Sequence, residues 1–158
     1  MGAKGIVIAE ECHVVNILPP VSITGATDSD VFNMKNFGHA TIIAQAGSTN
    51  SDAGNITIEE CTAADGTGAT ALSTTLWTYA ETTDSGDTLG ARTNDVSIDV
   101  SANDNIFYVI EIDASELTDG SNYVRLAWSS PGGATLVSAV AILSGQRYAR
   151  DENSTALT

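Results

Sequence analysis

Period-two alternation of apolar and polar residues dominates this chain and points to strands. In residues 55–62, Ile56 and Ile58 share one face while Thr57 and Glu59 point to the other. Val96, Ile98 and Val100 alternate with Ser97, Asp99 and Ser101, and residues 123–128 alternate in the same way. Residues 106–112 form the strongest apolar run, which predicts a central strand buried on both faces. Residues 136–143 supply another strand, and residues 32–36 and 40–46 two more. Residues 72–82 carry Leu72, Leu76 and Tyr79 at helical spacing, but their threonines and aromatics favour a pleated sheet. Loops rich in Gly, Asn, Asp and Ser separate these segments, and residues 114–117 form one helical turn at most. The chain has no room for the helical crossovers of a parallel sheet. The expected fold is therefore all-β: an antiparallel β-sandwich, or a jelly-roll-like variant, of about eight strands.

Three regions follow from the pattern. Residues 1–20 read as an N-terminal arm, 21–148 as the β-sandwich domain and 149–158 as a polar C-terminal tail expected to be a free end. In the arm, Ile8, Cys12 and Val15 lie at helical spacing, yet the β-branched content favours a strand. Pro19-Pro20 is expected to stop any regular element. The arm is thus a strand or short helix docked on a neighbour, or else the first strand of the same subunit.

Composition excludes several classes. The 158 residues carry 20 acids and 6 bases, a formal charge of −14, with only 16% charged residues and 42% hydrophobic ones. Binding nucleic acid requires clustered Lys and Arg to neutralise phosphates, and the six bases are scattered. No apolar run approaches the ~20 residues of a membrane span. Residues 6–9 are too short for the core of a signal peptide, and Ile6 stands where a myristoylation motif wants Ser or Thr. Cys12 and Cys61 are too few for a disulfide scaffold and read as reduced, small apolar residues. The glycosylation sequons at Asn55 and Asn153 read as chance matches.

Catalytic and metal signatures are weak. Gly66-Thr67-Gly68-Ala69-Thr70-Ala71 matches a dinucleotide fingerprint, but a Thr-rich strand follows it instead of a helix, so it reads as a hairpin loop. No nucleophile elbow occurs. His13 and His39 are isolated and make a poor metal pair. Asp28-Ser29-Asp30, Asp84-Ser85-Gly86-Asp87 and Asn103-Asp104-Asn105 could offer oxygens to calcium, best at Asp84 and Asp87, yet such residues more often initiate turns. Glu59 and Glu60 are strand neighbours that point to opposite faces, so they cannot form one acid–base pair. Trp77, Tyr79, Tyr123 and Trp128 are sugar-platform candidates, with core packing the favoured role. No enzymatic activity, cofactor or structural metal is expected.

Residues 105–117 (Asn-Ile-Phe-Tyr-Val-Ile-Glu-Ile-Asp-Ala-Ser-Glu-Leu) and residues 134–145 (Ala-Thr-Leu-Val-Ser-Ala-Val-Ala-Ile-Leu-Ser-Gly) resemble small virion structural proteins of tailed bacteriophages and prophages. Residues 16–20, 39–45, 58–61 and 86–92 agree, so the resemblance spans about residues 4–148. It implies a capsid decoration, or cement, protein on the outer surface of the virion, assembled in the host cytoplasm. Its partners would be the major capsid protein and further copies of itself, as a dimer or trimer. Alternatives are a tail-tube or head–tail joining protein, or a glycan- or receptor-binding module. For the decoration role, strong acidity favours an exterior position away from packaged DNA. Ile6, Val7, Ile8, Val14 and Val15 in the arm are the candidate contacts to a neighbouring subunit, by strand addition to an exposed sheet edge. Arg147 and Arg150, the one close pair of bases, are candidates for an acidic surface on a neighbour.

Overall fold

The computed structural model describes residues 5–48, 52–81, 87–100, 105–147 and 156–157. Its elements are α1 (Ile8–Glu11), β1 (His13–Ile23), β2 (Thr27–Asp28), β3 (Phe32–Asn33), β4 (Phe37–Ala46), β5 (Asn55–Cys61), β6 (Thr70–Ala71) and β7 (Thr75–Glu81). They continue with β8 (Thr93–Asp95), β9 (Ser97–Asp99), β10 (Ile106–Asp113), a 3-10 turn (Ala114–Glu116), β11 (Tyr123–Trp128) and β12 (Thr135–Gln146). The strands form two six-stranded sheets, all of whose pairings are antiparallel. The first has the order β1-β12-β4-β10-β7-β8. The second runs β2-β11-β5-β6, with β3 also on β11 and β9 also on β5. The expected all-β sandwich is the fold. Its strand number exceeds eight because short strands of two or three residues border the long ones.

One core lies between the sheets. The first sheet contributes Ala40, Ile42 and Ala44 from β4, Tyr108, Ile110 and Ile112 from β10, and Val137, Ala139, Ala141 and Leu143 from β12. The second contributes Ile56 and Ile58 from β5 and Val124, Leu126 and Trp128 from β11, with Phe32 and Met34 beside them. Alternate residues of each strand supply this core, which is why the period-two pattern was so visible.

Five expectations need correction. Strand β10 is central in its sheet, but only alternate residues are fully buried, and Phe107, Val109 and Glu111 are half-exposed on the far face. Residues 13–20 are not an arm: β1 pairs with β12 of the same chain from His13↔Leu143 to Ile23↔Thr135. Pro19-Pro20 does not end this strand. β1 lies at the sheet edge, where a missing N–H costs least, and register shifts between Asn16 and Leu18 and between Leu18 and Val21 absorb the irregularity. Val96 is exposed, because the chain passes there from β8 in one sheet to β9 in the other. The tail is not a free end at its last described residues: Ala156 is buried, its carbonyl accepts from Asn33 N–H at 2.9 Å, and Leu157 bridges to Phe32.

The glycine-rich segment between β5 and β6 is a turn, as expected. Asp65 Oδ1 accepts from Thr67 N–H at 2.9 Å, and Gly66 and Gly68 have φ of 81° and 72°. A side chain at Gly68 would also bring its Cβ to 2.5 Å from Thr62 Oγ1.

Trp128 is the largest fully buried side chain, and its Nε1–H donates to Ala53 O at 2.7 Å. Trp128→Phe keeps most of the apolar volume and strands that buried carbonyl. It is expected to lower stability by about 1–3 kcal/mol. A urea titration would show this as an earlier midpoint at unchanged slope. Coincident curves for the two proteins would mean that the bond contributes nothing.

Candidate functional site

The antiparallel register of β4 and β10 sets His39 directly opposite Asp113. Glu111 lies two residues earlier on the same face, because side chains on a strand repeat every second residue. His39 Nδ1 is 2.9 Å from Asp113 Oδ1, and Nε2 is 2.8 Å from Glu111 Oε2. The Thr41 hydroxyl donates to the same Glu111 oxygen at 2.7 Å. A neutral imidazole has one N–H, so its other nitrogen would set a lone pair against a carboxylate. The arrangement therefore suits an imidazolium donating on both sides. Burial pulls the His39 pKa down, but the hydrogen bonds and negative charges of Asp113 and Glu111 outweigh it, and the net value is raised.

Glu116, in the 3-10 turn, accepts from the Asp113 backbone N–H at 2.8 Å. With Leu76 and Arg92, these groups line an open cavity of about 270 Å³. Both nitrogens of His39 are engaged, which leaves neither as a free base or ligand. Among the described residues, no group of three or more His, Cys, Asp or Glu is arranged to hold a metal ion. The cluster thus presents three carboxylates, with His39 held between two of them and Arg92 beside them, to whatever approaches this face.

The other candidates separate. Ile6, Val7 and Ile8 are exposed, Ile6 by 77%, and α1 buries no residue. Val14 is exposed on the outer face of the first sheet, whereas Val15 points inward and belongs to the chain's own core, so it cannot contact a neighbour. Arg147 is exposed, and its backbone N–H donates to Asn36 O at 2.9 Å. Arg150 and Asp84 lie outside the described residues. Asp87 is exposed, and the Thr88 hydroxyl donates to it at 3.3 Å. Asp28 is engaged by Arg125 at 2.8 Å, and the same guanidinium holds Glu59 at 2.7 Å, tying β2, β11 and β5 together. Trp128 is core, as favoured, while Trp77, Tyr79 and Tyr108 form a ring cluster with centroids 5.8 to 6.1 Å apart. Cys61 is buried, which pushes its thiol pKa up, and both cysteines are free.

Sequence reasoning treated His39 as an isolated histidine. The Glu111-x-Asp113 spacing marks two carboxylates on one strand face and was a usable signal. Their meeting with His39 depends on a register that joins segments 72 and 74 residues apart.

A raised folded pKa fixes the sign of a pH effect. The contribution of His39 is fully present below its unfolded value of ~6.5 and is lost as pH rises through the higher folded value. His39 is one-third exposed, so the effect is discounted to about 1 kcal/mol or less. His39→Gln should therefore melt about 2–4 °C below wild type near pH 6, with the gap closing above the folded pKa. Melting curves that stay parallel from about pH 6 to about pH 9 would show that His39 is not charged in the clamp.

No family model and no curated protein matches the sequence. Among solved structures, the chain is similar to the crystal structure of SPBc2 prophage-derived protein YomS. The similarity is 19% identity at a TM-score of 0.44, over 84% of this chain and 93% of that one.

Proposed function

We propose that this chain is a structural protein of a tailed-phage virion that decorates the outer surface of the capsid and clamps adjacent capsid subunits. The observation that carries this reading is the apolar segment Ile6-Val7-Ile8. It is exposed throughout, and it precedes an edge strand of a stable sandwich. Three consecutive exposed apolar residues fit a contact to a second molecule. Its resemblance to small virion structural proteins supports the same reading. So does the −14 charge, which packaged DNA would repel and which favours an exterior site. Many weak contacts repeated over a symmetric shell would give firm attachment without one large interface. Self-association as a dimer or trimer would match such a lattice.

Purified protein should be mixed with heads that lack it, before and after DNA packaging, then sedimented and imaged. Saturable binding outside expanded heads, in a symmetry-related copy number, is the expected result. Ile6→Ser combined with Ile8→Ser should leave the melting temperature unchanged and weaken binding by about tenfold or more. Incorporation into tails, or adhesion to cells or glycans without head binding, would overturn the reading.

A further inference from the structure

The two outer faces of the sandwich differ sharply. On the second sheet, β11 and β5 present Tyr123, Arg125 and Ala127 beside Thr57 and Glu59, and Asp28 and Ser97 flank them. That face is polar and is tied together by the Arg125 ion pairs. On the first sheet, the register aligns Val140 of β12, Ile43 of β4 and Val109 of β10 in one row across three adjacent strands. The neighbouring row brings Val14 opposite Ile142, and Phe107 stands on the far side of Val109. The side chains in the row are half-buried, and Val14 and Leu136 at the flanks are 51% and 53% exposed.

On either side of this row, toward the two ends of the strands, lies a cavity of about 270 Å³. One is lined by Pro20, Gln45, Gly47, Leu136 and Ser138, among others. The other holds the His39 clamp with Glu111, Asp113, Glu116 and Arg92. An outer sheet face facing only water is expected to alternate to polar residues, as the second sheet does. On the first sheet the polar Asn16, Thr41, Gln45 and Ser138 surround an apolar row, and one end of the strands carries Glu111, Asp113 and Glu116 beside His39 and Arg92, so that an apolar centre has a polar rim, the arrangement of a protein–protein interface.

We infer that the outer face of β1, β12, β4 and β10 is the surface that seats on a protein partner with an apolar centre and Lys or Arg at its rim. In the frame of the proposed function, on which this rests, the partner is the capsid shell protein. Charge decides the occupant. A second copy would bring another −14 and a second set of rim carboxylates against Glu111, Asp113 and Glu116. A basic rim is attracted to the same groups. Val14, 51% exposed, adds apolar surface to this face on the edge strand β1.

The test uses full-length protein and heads lacking it. Ile43→Lys together with Val109→Lys places positive charge at the centre of the row, where a basic partner would be repelled. Thr57→Lys makes a matching change on the opposite face. All variants are first checked for unchanged circular dichroism and cooperative melting. The double variant is expected to bind heads about 100-fold more weakly, and Thr57→Lys within about threefold of wild type. Wild-type binding should also weaken as ionic strength rises from about 0.05 M to about 0.5 M. If wild type binds and the double variant binds equally, the face is wrong while the decoration reading stands. If wild type binds no heads, the decoration reading fails and this assignment fails with it. Sedimentation equilibrium of free protein covers the remaining occupant: a wild-type oligomer that the double variant dissolves would assign the face to a second copy and overturn the basic partner. Should the double variant melt early, Ile43→Thr with Val109→Thr keeps the β-branched shape and tests the same face.

Discussion

Burial of one face of each sheet against the other is the constraint on which this molecule depends. A sheet hides its apolar side chains only if register holds along every strand, since a slip of one residue turns them all outward. β10 shows the consequence most fully. Ile106, Tyr108, Ile110 and Ile112 face the core, so Phe107, Val109, Glu111 and Asp113 must face away. The same registration that packs the core therefore delivers the carboxylates of Glu111 and Asp113 to His39 on β4. The clamp is a by-product of core geometry made specific by the residues chosen for the outer positions.

The sheet-forming segments were legible because alternation is a local signal. Ile56 and Ile58, Val124 and Leu126, and Val137 through Leu143 all declare their inward face in sequence. What was illegible is non-local. Pro19-Pro20 suggested a stop, but whether proline breaks a strand depends on its being internal or at an edge, which only the sheet order reveals. The alternation of Val96 with Ile98 and Val100 concealed a crossing between sheets. Ala156 and Leu157 belong to a polar tail by composition, and their docking rests on backbone pairing with Phe32 and Asn33 of β3. Of the candidate contact residues, Ile6, Val7, Ile8 and Val14 are exposed and Val15 is core, a division set by the same alternation.

The outer faces show how one fold separates stability from recognition. On the second sheet, Arg125 spends its guanidinium on Asp28 and Glu59 within the chain. On the first, the central β-branched row is partly exposed, and charged groups gather beside it toward one end of the strands. β-Branched residues suit a pleated strand on either face. Their placement on the outer side thus costs the sheet little while leaving an apolar surface available.

The first sheet places an early strand beside a late one: His13 pairs with Leu143, and the sheet edge is β1 lying on β12. During synthesis, β1 leaves the ribosome long before its hydrogen-bonding partner exists. Until β12 emerges, β4 also lacks one of its two neighbours, since β12 lies between it and β1. The sheet therefore closes only after β12, which ends at Gln146, has been released. Pairings of such wide sequence separation make for slow closure. In that interval β1 is an unpaired apolar strand, and its two prolines interrupt the row of amides that a stray strand would need.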